Sequence, residues 1–132
     1  MTNMTNQDII AVVDDSEIMR DALVHLLCSS GFGVEVYASA EEFLAAAGDS
    51  QAGCLLVDIE LGDILGTEMV RDLWMRGYSF PVIFMTGSPN DFFRRTATAL
   101  GCTAFLAKPL PAEEMLQAID QAIAPETYRK CG

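Results

Sequence analysis

Short apolar runs and stretches of helical periodicity alternate along the 132-residue chain. Ile9-Ile10-Ala11-Val12-Val13 is a run of strand length, and Val34 and Val36 mark a second. Cys54-Leu55-Leu56-Val57-Asp58 is a third, Val82-Ile83-Phe84-Met85-Thr86 a fourth, and residues 103–107 a fifth. Between them lie amphipathic segments. Met19, Ala22, Leu23, Leu26 and Leu27 share one helical face after a cap at Asp15 or Ser16, and Gly31 stops that helix. Ser39-Ala40-Glu41-Glu42 is a capping box that opens a second helix, with Phe43 and Leu44 inward and Gly48 at its end. Thr67 to Arg76 predicts a third helix with Met69, Val70, Leu73 and Trp74 as its apolar side, closed by Gly77. Asn90 to Leu100 predicts a fourth, closed by Gly101. Pro111 fits a first helical position, Met115, Leu116, Ile119 and Ile123 stripe a fifth helix, and Pro125 stops it. Regular strand–helix alternation with short connections predicts an α/β fold: a doubly wound, five-stranded parallel sheet of the flavodoxin-like type with five helices.

Composition narrows the class. Half of the chain is apolar (51%), enough for one packed core in a single domain. A formal charge of -11 disfavours a nucleic-acid backbone or an anionic membrane as direct partner and suits solubility and a basic partner, or a site that holds a cation. No run has the length of a membrane span, and Met1 to Gln7 lack the features of a signal peptide, so the expected location is the cytoplasm. The cysteines Cys28, Cys54, Cys102 and Cys131 form no CxxC pair; Cys28 and Cys54 read as small buried hydrophobes.

In a parallel sheet, Asp14-Asp15, Asp58, Thr86 and Lys108-Pro109 all emerge at the strands' carboxyl edge, where such folds bind ligands. Three carboxylates gathered there repel one another unless a divalent cation sits among them. An all-oxygen donor set suits Mg²⁺, with Mn²⁺ as the alternative. Cation, lysine and hydroxyl together cradle a phosphoryl group, and a carboxylate can be the nucleophile that receives it.

This ordered set resembles the receiver domain of two-component response regulators, over about residues 8–124, with residues 1–7 and 125–132 as short tails. The resemblance implies that Asp58 accepts a phosphoryl group from a histidine kinase or phosphotransfer protein. It implies that Asp14, Asp15, Asp58 and the Glu60 carbonyl hold Mg²⁺, Asp15 more directly than Asp14. Lys108 would pair with the phosphoryl oxygens, before a cis bond to Pro109. Thr86 and Phe105 would be the switch pair, acting on the face of helix four, strand five and helix five, where a downstream protein or a second copy docks. Such a domain shuttles its own phosphoryl group but is not an enzyme in the usual sense. With no output domain in this sequence, the expected output is protein–protein contact or phosphoryl relay. The chain departs from the family where Leu61-Gly62-Asp63 replaces a Met-Pro-Gly stretch; the extra acids Glu60 and Asp63 fall close to the site, and Glu60 and Ser88 are expected to tune hydrolysis.

Blander readings stand beside these. Asp15 alone could be a helix cap, Thr86 a turn residue, Lys108 a solvated loop lysine, and Phe105 plain core. His25 reads as a helix-surface histidine, and Arg94-Arg95 as a solvated basic pair able to meet an acidic partner. The main rival function is a phosphorylation-independent pseudo-receiver, an interaction module with the same fold. A Mg²⁺-dependent aspartyl-phosphate phosphatase would need its nucleophile after the first strand. A flavin mononucleotide carrier would need a glycine- and hydroxyl-rich phosphate loop where Asp14-Asp15-Ser16 stands.

Overall fold

The computed structural model describes residues 8–124. The apolar runs become β1 (Ile9–Val13), β2 (Gly33–Tyr37), β3 (Cys54–Asp58), β4 (Val82–Thr86) and β5 (Ala104–Ala107). Between and after them lie α1 (Glu17–Ser29), α2 (Ala40–Ala46), α3 (Gly66–Met75), α4 (Asp91–Ala99) and α5 (Ala112–Ile123). All strand pairs are parallel, in the order β2-β1-β3-β4-β5. Every residue of β3 and β4 is buried, which explains why those runs read as continuous rather than alternating. The expected doubly wound sheet is therefore the one observed.

Alternate strand residues feed two cores. Leu55, Val57 and Phe84 pack with Phe43 of α2, Met69 and Leu73 of α3, and Ala97 of α4. Ile10, Val12, Leu56, Ile83 and Met85 pack with Leu23 and Leu27 of α1 and Met115, Ala118 and Ile119 of α5. Helices α1, α2 and α4 start where polar caps satisfy free backbone N–H groups. Ser16 Oγ accepts from Met19 N at 3.2 Å, Ser39 Oγ from Glu42 N at 3.1 Å, and Asn90 Oδ1 from Phe93 N at 2.8 Å. Of the two caps expected for α1, Ser16 is the one used.

Several local expectations need correction. Cys28 is exposed, because the buried line of α1 runs through Leu23 and Leu27 and the next residue turns away by a full helical step. Ala22 faces outward for the same reason. Cys54 is buried as expected, and burial pushes its thiol up to about 12, so it is inert packing. Trp74 is 48% exposed, at the end of α3 beside Gly101, rather than core. Pro111 is the extended cap of α5 rather than its first helical residue. Helix α3 starts one residue early, at Gly66, and Arg76 closes it from outside. Pro125, Cys131 and the two tails lie outside the described residues.

The topology reverses between β1 and β3: the chain leaves β1 for β2 on one side and continues through β3, β4 and β5 on the other. That reversal opens a crevice at the carboxyl ends of β1 and β3. Gly66 fixes the crevice wall. Its N–H donates to the Ile59 carbonyl at 2.6 Å, and a Cβ there would sit 2.5 Å from the Asp58 carbonyl oxygen and 2.8 Å from Val57 Cγ1. Both neighbours belong to the buried β3 strand and have no room to yield. Gly66→Ala is expected to destabilise the fold by roughly 1–3 kcal/mol, as other overpacked positions do. Urea unfolding measures it, and an unchanged midpoint would contradict this packing.

Candidate functional site

Asp14 follows β1 directly, and its N–H donates to Tyr37 O at 3.1 Å, extending the sheet by one step. Its side chain is fully buried. Asp14 Oδ1 accepts from Ser16 N at 2.9 Å, and Arg20 Nη1 donates to the Asp14 carbonyl at 2.8 Å. Asp58 ends β3 and is buried too, with Oδ1 accepting from Glu60 N at 2.9 Å. Lys108 leaves β5; its N–H donates to Thr86 O at 2.8 Å, and its bond to Pro109 is cis. Its ammonium reaches back across the sheet edge and donates to Asp14 Oδ2 and Asp58 Oδ2, each at 3.0 Å. One cation therefore bridges two carboxylates from neighbouring strands.

Asp15 is exposed and joins them from the solvent side. One carboxylate oxygen each from Asp14, Asp15 and Asp58 lie within 4.8 Å of one another. Gly62, with φ +93°, lies against this group: a Cβ on it would be 3.4 Å from Asp15 Oδ2. This is a cluster of hard oxygen donors with an open face, which is what Mg²⁺ accepts while keeping several waters. Thr86 is fully buried, and its Oγ1 accepts from Ser88 N at 3.0 Å.

Electrostatics follow from that packing. Burial raises the Asp58 pKa above its usual 3.8, and Asp14 adds to this; the Glu60 N–H and Lys108 pull the other way without winning. For Lys108 burial lowers the pKa, but the hydrogen bonds and charges of Asp14 and Asp58 outweigh it and hold the ammonium protonated above its usual range. The two groups thus answer burial differently: Lys108 has two opposite charges beside it, whereas Asp58 has one of each sign.

Phe105 is half-buried on β5 against the core that includes α4. Arg94 lies over its ring, 4.7 Å from the centroid. Glu60 is exposed and contributes its N–H to Asp58. Asp63 does not join the acidic cluster of Asp14, Asp15 and Asp58. It caps α2 across the loop, accepting from Glu41 N at 3.1 Å and Ala40 N at 3.4 Å. Slight burial pushes its pKa up, but the N–H groups of Glu41, Ile64 and Ala40 outweigh that and hold it below its usual range. Its pairing spans more than twenty residues, so no local motif announces it. Nor does a motif announce Arg20, which reaches the Asp14 carbonyl from the first turn of α1.

The chain matches the response regulator receiver domain family over residues 10–120. It belongs to that family. Among its relatives, the transcriptional regulatory protein FixJ of Bradyrhizobium diazoefficiens is 34% identical over 91% of this chain and 58% of its own length. The response regulator protein TodT of Pseudomonas putida is 33% identical over 87% of this chain and 51% of its own. The chain thus spans about half the length of these curated relatives. A CheY-like receiver domain protein from Methanospirillum hungatei superposes with a TM-score of 0.84 at 26% identity, covering 96% of this chain and 99% of that one. The receiver family is a signalling family of two-component systems rather than one of classical enzymes, and it binds Mg²⁺ at the acidic pocket. The three clustered carboxylates of this receiver domain fit that ion.

The folded pKa of Asp58 lies above its unfolded value, so its ionised form costs stability at neutral pH, and that cost fades as pH falls through the folded pKa towards 3.8. In buffer with chelator, Asp58→Asn is expected to raise the urea midpoint at neutral pH, with the gap to wild type closing on acidification. Lys108→Ala should lower the unfolding free energy by roughly 1–3 kcal/mol, since two carboxylates lose their shared partner. An Asp58→Asn protein less stable than wild type at neutral pH would contradict this reading.

Proposed function

We propose that this chain is a Mg²⁺-dependent phosphoacceptor whose acceptor is Asp58, with residues 8–124 as the receiver unit. The observation that carries the reading is the Lys108 ammonium, 3.0 Å from both Asp14 and Asp58. It keeps a buried carboxylate oriented and leaves a cation poised where phosphoryl oxygens would arrive. In the proposed step a carboxylate oxygen of Asp58 attacks phosphorus in line. The P–N bond of a phosphohistidine on a kinase or phosphotransfer protein breaks, its electron pair returns to the imidazole, and an acyl phosphate forms. Mg²⁺, held by Asp14, Asp15, Asp58 and the Glu60 carbonyl, would offset charge on the transferring oxygens. Lys108 then exchanges its Asp58 contact for a phosphoryl oxygen and stays tied to Asp14. Hydrolysis by water restores the carboxylate and releases phosphate, at a rate that Glu60 and Ser88 tune.

Thr86 and Phe105 are the proposed readout. Thr86 Oγ1 accepts from the Ser88 N–H, and its own O–H is the group that would donate to a phosphoryl oxygen once the side chain turns away from Ser88. Phe105 stands on the same β4–β5 pair, half-buried and able to move inward when that hydroxyl leaves. The face of α4, β5 and α5 would then change its affinity for a downstream protein or a second copy of the chain. No helix among the described residues is long and apolar enough to cross a membrane.

Incubation with Mg²⁺ and acetyl phosphate, followed by intact-mass measurement and a phosphate-affinity gel, tests the proposal. Wild type should gain one phosphoryl group, lost in Asp58→Asn and on chelation, while Thr86→Ala should be labelled but fail to switch partners. A wild-type chain that stays unlabelled, with a phosphohistidine donor as well, would instead make it a constitutive pseudo-receiver module.

A further inference from the structure

The described residues carry six basic side chains, and four of them are engaged. Arg20 holds the Asp14 carbonyl, Arg76 pairs with Asp72 at 3.0 Å, Arg94 lies over Phe105, and Lys108 bridges Asp14 and Asp58. The remaining two, Arg71 and Arg95, are exposed, and neither makes a salt bridge or side-chain hydrogen bond among the described residues. They come from different helices, α3 and α4, and line the same groove of about 530 Å³. Its other walls are Phe92, Thr96, Ala99 and Leu100, and Phe92 is 58% exposed.

We infer that this α3–α4 groove docks an acidic amphipathic segment of a partner protein. Two guanidinium groups, one from each helix, offer planar, bidentate donors to carboxylates, while Phe92 and the apolar lining of Ala99 and Leu100 take a large apolar side chain. Arginine and aromatic residues are the types that dominate binding energy at such surfaces. Charge selects the occupant. A chain of net charge -11 repels nucleic acid and, in general, a second copy of itself; a local positive pair on that background attracts an acidic peptide at short range only. The arginine pair adjacent in sequence, Arg94-Arg95, is split by the fold: Arg94 turns to Phe105 and Arg95 to this groove. The groove is separate from the acidic cluster and requires no phosphoryl chemistry, so it stands whether or not Asp58 is an acceptor.

A random-peptide display library panned on the full chain, with the Arg71→Gln/Arg95→Gln double variant as counter-selection, tests this. The best peptide is then titrated against the isotope-labelled chain by amide NMR. The expected binders combine Asp or Glu with large apolar residues, and they shift amides at residues 71, 92, 95, 96 and 99. They should weaken roughly tenfold in the double variant and further with added salt. Arg76→Gln, at a paired arginine outside the groove, should leave affinity within about twofold, and circular dichroism checks that each variant is folded. Binders that are not acidic, that ignore the double variant or that map elsewhere would overturn the proposal. So would groove shifts in the free chain that grow with its own concentration, or tighter binding of an oligonucleotide than of the peptides.

Discussion

Like charges held close together at the end of a sheet are the constraint on which this molecule turns. Asp14 and Asp58 are carried there by β1 and β3, which are neighbours because the topology reverses between them. Both side chains are buried, so water screens their repulsion poorly. Lys108 meets the two carboxylates with a single positive charge, and Asp15 adds a further negative one at the mouth. That surplus of negative charge is an arrangement that a further cation would offset. Burial, with the Asp14 charge adding to it, keeps Asp58 from being ionised as easily as a surface aspartate.

That edge is coupled to the rest of the protein through β4 and β5. Lys108 N hydrogen-bonds the Thr86 carbonyl, so the bridging cation and the candidate switch hydroxyl share one backbone link. On β5, three residues before Lys108, stands Phe105, and Arg94 of α4 covers its ring. Inward movement of that ring would break a cation–π contact worth about 0.5–1 kcal/mol at an exposed site. In the proposed switch, an event at the carboxylates would reach α4 by this short path. The groove of Arg71 and Arg95 lies on the other flank of α4, so one helix borders two surfaces of different chemistry.

Much of this was legible in the residues. A buried parallel strand must be almost wholly apolar, so a polar residue that ends such a run marks the sheet's carboxyl edge; Asp14, Asp58, Thr86 and Lys108 all stand out for this reason. Their mutual distances follow from register, which parallel pairing with short crossovers leaves little freedom to change. What the sequence hid depends on side-chain direction or on distant partners. Cys28 and Trp74 fit an apolar stripe by composition, yet each lies one step past its buried line or at a helix end. Asp63 looks like one more site acid until the loop brings it to the N-terminus of α2. Arg94 and Arg95 read as one basic pair, and only the packed helix shows that they serve opposite sides.

The surplus of negative charge is tested most directly by the thermal midpoint of the metal-stripped chain as Mg²⁺ is added. A ligand that binds only the folded form raises stability with the logarithm of its concentration once the site fills. The midpoint is expected to climb as Mg²⁺ is added to wild type and to rise clearly less in Asp15→Asn, which keeps the Lys108 bridge but removes one negative charge and one of the two oxygen donors of that side chain. A wild-type midpoint indifferent to Mg²⁺, or one that rises equally in both proteins, would contradict that expectation.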